Sequence, residues 1–144
     1  MNIKRILCAV DFSEPSKRAL EVAKSLSEKS SSELVVTHII SSLKVEKGFQ
    51  KWKDITEKDK ADYMNELIKD AEEKICSFLG ICRGAESIVR IGIPYETINE
   101  IAMERDEDLI VMGARGLSYT KGVILGSVSE SIIKSSSCPV MIVR

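Results

Sequence analysis

Gly113, Gly116, Gly126 and Ser127 are the residues of this 144-residue chain whose types and spacing most directly suggest a chemistry. Glycine at 113 and 116 permits positive φ and lets a ligand reach backbone N–H groups with no Cβ in the way. Gly126-Ser127 comes just before a helical pattern, so free N–H groups and a hydroxyl are expected at a helix N-terminus. Geometry and dipole both favour an anion there. Two such elements beside one cleft suit a polyphosphate better than a single carboxylate. Gly122 lies in the segment between them, and Arg115 and Lys121 carry positive charge close by. Asp11, which ends the first apolar run, is the acidic residue that a parallel sheet brings to the same rim.

Other chemistries lack their residues. His38 is the one histidine, too few for a His-rich metal site, and its place in a strand pattern predicts a hydrogen-bonded core histidine. Cys8, Cys76, Cys82 and Cys138 are scattered with no C-x2-C pair, which reads as thiols in a reducing compartment. There is no G-x-x-x-x-G-K-[ST], no G-x-G and no G-x-S-x-G, so the P-loop, dinucleotide and nucleophile-elbow readings fall away. Lys and Arg number 21 against 22 Asp and Glu, a formal charge of −1 that argues against sequence-independent nucleic-acid binding. The N-terminal apolar run is too short for a signal peptide, and no stretch approaches the ~18 apolar residues of a membrane span. The expectation is a cytoplasmic protein with no membrane and no nucleic-acid partner.

The elements that must position these residues follow from apolar periodicity. Ile6 to Val10 reads as a strand buried on both faces. Ser13 offers an N-cap and Pro15 a first-turn proline for a helix carrying Ala19, Val22, Ala23 and Leu26 on one face. Leu34 to Ile40 is a second strand. Residues 41–60, rich in lysine and holding Gly48, Phe49 and Trp52, show no clear period. They read as a solvated connection with a short helix, or as a mobile lid beside the site. A long helix follows from Asp59, with Gly80 or Gly84 able to end it. Ser87 to Ile91 is a third strand, Pro94 opens a helix bearing Ile98 and Ile101, and Leu109 to Met112 is a fourth strand. Val128, Ile132 and Ile133 mark the last helix, and Pro139 to Val143 a closing strand. Strict β-α alternation implies one α/β domain over residues 1–144, with a mostly parallel open sheet and helices on both faces. Ligands in such sheets bind beyond the carboxyl ends of the strands. That places Asp11, the stretch Ile39 to Ser42, and Gly113 to Gly116 on one rim.

The full spacing G-x2-G-x9-G-[ST] over Gly113, Gly116, Gly126 and Ser127 resembles the signature of ATP-binding universal stress proteins. The resemblance covers nearly the whole chain. Ile6-Leu7-Cys8-Ala9-Val10-Asp11-Phe12-Ser13 resembles that family's first strand and its aspartate, Gly92-Ile93-Pro94 its third-strand turn, and Cys138-Pro139-Val140-Met141-Ile142-Val143 its closing strand. It implies a Rossmann-like five-stranded parallel sheet of order 3-2-1-4-5, a homodimer, and an ATP pocket between strands one and four. Carried over, Asp11 holds the adenosine end and the backbone at Ile39 reads the adenine edge. Gly113, Gly116, Gly126 and Ser127 hold ribose and phosphates, with Val128 and Ser129 adding helix-start contacts. AMP or ADP are further candidate ligands, and Mg2+ or Mn2+ would arrive with the nucleotide.

Three functional readings follow. The first is a nucleotide-dependent regulatory switch in a stress response. The second is a slow ATPase, for which no general base near the phosphates is apparent. The third is a dimeric interaction module with a vestigial pocket. The closing strand, as a sheet edge, is the expected homodimer contact through Val140 to Val143.

Overall fold

The two longest described helices start where the sequence supplies a side-chain cap. In the computed structural model, which describes residues 2–81, 84–117, 121–122 and 124–144, helix α1 (Glu14–Ser30) follows strand β1 (Arg5–Ala9). Ser13 sits in extended backbone as the N-cap, its Oγ accepting from Ser16 N at 3.3 Å, with Pro15 in the first turn. The helix ends at Ser31 in the left-handed conformation, φ 54°. After β2 (Glu33–Ser41) and α2 (Ser42–Phe49), the long α3 (Glu57–Phe78) opens on a capping box. There Thr56 Oγ1 accepts from Asp59 N at 3.1 Å while Asp59 Oδ2 accepts from Thr56 N at 3.0 Å. A short 3-10 turn (Leu79–Ile81) ends α3 before either Gly80 or Gly84 acts as a helix cap. Strand β3 (Glu86–Gly92), α4 (Pro94–Glu104), β4 (Leu109–Gly113), α5 (Ser127–Ser135) and β5 (Val140–Val143) complete the order.

The five strands form one parallel sheet in the order β3-β2-β1-β4-β5. Alternate residues of each strand feed two cores, as the pleat demands. Ile6, Cys8, Val36 and Val111 pack with Ala19, Leu20, Ala23 and Ile75 under α1 and α3. Leu7, Ala9, Val35, Ile110 and Met112 pack with Ile98, Ile101 and Ile132 under α4 and α5. Burial on both faces is why these strands read as continuous apolar runs rather than alternating ones. Among the described residues no helix is long and apolar enough to cross a membrane.

Residues 41–60 are more ordered than their composition suggests. Helix α2 buries Val45, and Phe49 and Trp52 lie edge-on to Tyr63 of α3, with centroids 5.7 and 5.3 Å away. The aromatics of the expected lid are thus packed within the chain itself. At the amino ends of the strands, Arg105 forks onto Glu86 at 2.7 and 3.2 Å and reaches buried Glu107 at 3.3 Å. Burial pushes the Glu107 carboxyl up, and the Arg105 guanidinium opposes that shift. These charges lie at the far end of the sheet from the glycines. Of the cysteines, Cys8 is buried, Cys138 half-buried and Cys76 exposed, while Cys82 lies outside the described residues.

Candidate functional site

At the carboxyl end of β1 the chain meets the glycine-bearing loop after β4, and Asp11 ties the two together. Its Oδ1 accepts from Ser13 N at 3.1 Å and from the Ser13 hydroxyl, while Oδ2 accepts from Leu117 N at 3.0 Å. One carboxylate therefore orders the start of α1 and clasps a loop 106 residues away. The residue after it, Phe12, adopts φ 66°, a left-handed backbone that costs an aromatic residue about 1–3 kcal/mol.

Glycine at 113 and 116 is required by close approach rather than by φ. Neither residue has positive φ. A Cβ at Gly113 would stand 2.9 Å from the Pro15 carbonyl carbon and 3.0 Å from Ser16 N, so the first turn of α1 rides directly over the end of β4. A Cβ at Gly116 would stand 2.2 Å from Asp11 Oδ2. The positive φ expected at Gly113 and Gly116 is not found; their missing Cβ atoms instead make room for Pro15, Ser16 and Asp11.

Gly126 differs from both. It is the N-cap of α5, in extended backbone at φ −76° and ψ 162°, and an added Cβ would make only ordinary contacts of 3.5–3.7 Å. Its N–H donates to Ala114 O at 2.7 Å, and among the described residues no side chain caps the helix. Ser127 is the first helical residue and is exposed. The opening N–H groups of α5 are thus left without a side-chain cap, a ready set of donors for an anion. Nine residues make too short a helix to stand alone, and α5 is anchored by fully buried Ile132 and by Ser129. Ser129 is buried, its hydroxyl donating to Ala114 O at 2.9 Å and Gly126 O at 3.0 Å. Val128 packs its side chain into the α4/α5 core.

A model of the universal stress protein family matches residues 2–144. The chain belongs to the universal stress protein family. It is 31% identical over 153 residues to the universal stress protein MJ0577 of Methanocaldococcus jannaschii, covering 98% of this chain and 94% of that one. It is 34% identical over 151 residues to the universal stress protein YxiE of Bacillus subtilis, covering 97% and 98%. The solved structure of MJ0577 superposes with a TM-score of 0.84 at 29% identity, over 99% of this chain and 96% of that one. A universal stress protein from Archaeoglobus fulgidus, solved in complex with dAMP, matches at a TM-score of 0.63 over the full length of both chains. At 22% identity, that likeness is one of fold.

In this universal stress protein the structure brings Asp11, Gly113, Gly116, Gly126 and Ser127 to one end of the sheet. Ile39 lies inside β2 rather than after it, paired with Arg90 of β3 and buried in the α4/α5 core, so only its main chain is available to a ligand. Among the described residues no group of three His, Cys, Asp or Glu side chains is placed to hold a metal ion. Two participants had no visible signal in the sequence, the Leu117 N–H and Phe12 in its left-handed turn, while His38 is hydrogen-bonded as its strand position predicts. The His38 Nδ1 lies 2.8 Å from Val10 O, and its ring stands 4.5 Å from that of Phe12.

Proposed function

We propose that this universal stress protein binds ATP, with AMP and ADP as competing ligands, and acts as a nucleotide-dependent regulatory protein in a cytoplasmic stress response. The observation that carries the reading is Gly126. Among the described residues packing gives no reason for glycine there, since a Cβ would meet nothing closer than 3.5 Å. What the missing Cβ leaves open is the uncapped N-terminus of α5. Phosphates would take the N–H groups of Ser127, Val128 and Ser129 and the Ser127 hydroxyl, with the helix dipole aiding. The Ile39 main chain would read the adenine edge.

A carboxylate has about four lone-pair sites, and Asp11 fills three of them with Ser13 N, Ser13 Oγ and Leu117 N, leaving one for a ribose hydroxyl. The same commitments make Asp11 a holder rather than a general base, which favours binding over turnover. A divalent Mg2+ or Mn2+ would ride on the phosphates and neutralise their charge. The dAMP complex of the Archaeoglobus protein supports the reading by analogy of fold, because a protein of this architecture is solved with an adenine nucleotide.

Calorimetric titration of ATP into wild type and Gly126→Val is the direct test. Binding by wild type with at least a tenfold loss in the variant supports the reading; equal affinities overturn it. The same proposal makes β5 the homodimer contact. It is a half-buried edge strand paired only to β4, and pairing with a second copy removes the open edge. Sedimentation equilibrium should then return twice the monomer mass.

A further inference from the structure

We infer that the outer face of α2 and the turn after it form a docking surface for an anionic lipid bilayer, held by lysines and seated by Leu43 and Trp52. The inference stands apart from the nucleotide reading and holds with that site full or empty. Helix α2 is fixed to the body of the protein by one face. Val45 is buried, a Cβ added at Gly48 would lie 3.3 Å from the Tyr63 hydroxyl, and Phe49 meets the same ring edge-on. The backbone keeps turning past the helix, Gln50 N donating to Glu46 O at 3.1 Å and Lys51 N to Gly48 O at 3.2 Å. Lys44, Lys47 and Lys51, spaced i, i+3 and i+7, therefore share a face turned away from Val45, and all three are exposed.

Two features set this face apart from an ordinary solvated one. The first is uncompensated charge. Among the described residues the ammonium groups of Lys44, Lys47, Lys51 and Lys53 make no ion pair or hydrogen bond, whereas Lys24, Lys60 and Lys134 each pair with a glutamate three or four residues away. Over residues 42–53 those four lysines stand against Glu46 alone, in a chain whose formal charge is −1. Beyond them Glu57 is paired to Lys60 and Asp59 closes the cap of α3, so Asp54 and Lys58 offset each other. The second feature is exposed apolar surface at both ends of the lysine row, Leu43 being 63% exposed and Trp52 49%. Trp52 rests edge-on against Tyr63, with centroids 5.3 Å apart, so a seated indole faces outward.

Lysine favours a bilayer as the occupant. Every cation of residues 42–60 is a lysine and none is an arginine. Protein interfaces enrich arginine and deplete lysine, whereas the anionic cytoplasmic leaflet attracts both alike. A long lysine stem keeps its ammonium at the headgroups while apolar neighbours enter the interface, a depth at which tryptophan is enriched. Such a contact is peripheral. It needs no spanning helix, the ground on which the sequence argued against a membrane.

Trp52 is the sole tryptophan, so the intrinsic fluorescence of the full chain reads this face directly. Large vesicles of phosphatidylcholine, alone or with an equal part of phosphatidylglycerol, are titrated into the protein at about 0.1 M and about 1 M salt, Debye lengths of about 10 and 3 Å. The protein should sediment with the anionic vesicles at the lower salt and with neither kind at the higher. On binding, Trp52 emission should move to shorter wavelength and its quenching by acrylamide should fall. Lys44→Gln with Lys47→Gln should weaken partitioning about 25-fold, or about fivefold for each lysine at the surface. Lys17→Gln with Lys29→Gln removes equal charge from exposed positions on α1 and should leave partitioning within about twofold of wild type. Leu43→Ser, at an exposed position, should weaken it several-fold with the urea midpoint unchanged. No binding to the anionic vesicles, an equal loss in both lysine pairs, or binding that leaves Trp52 emission and quenching unmoved overturns the inference. Tighter binding to poly-glutamate than to the anionic vesicles also overturns it, and assigns the face to an acidic protein.

Discussion

Gly116 and Asp11 are fitted to each other: a Cβ on the glycine would lie 2.2 Å from Asp11 Oδ2, the oxygen that already accepts from Leu117 N at 3.0 Å. That oxygen is held, so it cannot swing aside as a free side-chain end would. Gly116→Ala must therefore break the Leu117 bond or move the loop. ATP affinity, read by calorimetry, should fall at least tenfold.

Asp11→Asn tests the clasp from the other side. An amide has one oxygen where Asp11 uses two, so an N–H of the side chain must face an N–H of the main chain. Losing one charge-assisted bond costs about 2 kcal/mol. The urea midpoint should drop accordingly, and the Leu117 amide should exchange faster with solvent.

Gly113 and Gly126 should separate stability from binding. Gly113→Ala drives a Cβ to 2.9–3.0 Å from the main chain of Pro15 and Ser16, which has little room to yield. Overpacking of that kind costs about 1–3 kcal/mol, visible in urea unfolding. At Gly126 an alanine loses some N-cap preference but gains by restricting the unfolded chain, two effects that largely offset. Gly126→Ala should unfold within about 0.5 kcal/mol of wild type. It should still bind ATP more weakly, because the methyl group stands at the helix start.

Ser127 and Ser129 should divide in the same way. Ser127 is exposed and caps nothing, so Ser127→Ala should leave stability within about 0.5 kcal/mol while lowering ATP affinity several-fold. Ser129 donates to Ala114 O and Gly126 O from a buried position. Ser129→Ala should cost about 1 kcal/mol of stability, measured by the same unfolding curves.

Stability should also carry the signature of His38. Burial holds its pKa below the ordinary 6.5, so the unfolded chain binds the proton more readily than the native one. The stability this contributes is complete above pH 6.5 and is lost as pH falls from there through the native value. Urea midpoints at pH 7.5 and 5.5 should differ more in wild type than in His38→Asn.

The sequence by itself determined the alternation of strands and helices, the parallel sheet and the rim on which Asp11 and the glycines lie. Burial on both faces writes continuous apolar runs, and Ser13, Pro15 and Pro94 write helix starts; both are local signals. The family resemblance over Gly113, Gly116, Gly126 and Ser127 was legible for the same reason, being a matter of spacing along the chain. What each residue does there was decided by the tertiary structure. Gly113 needs its missing Cβ because Pro15 crosses it, and Gly116 because Asp11 does, contacts between residues about 100 positions apart. The short helix expected in the lysine-rich 41–60 stretch is there, but what holds it, the rings of Phe49 and Trp52 on Tyr63 of α3, leaves no mark in the local sequence. His38 read as an ordinary strand residue for the same reason. Its partners, Val10, Phe12 and Phe78, meet it only when β1, β2 and α3 come together, and no periodicity encodes a three-way contact.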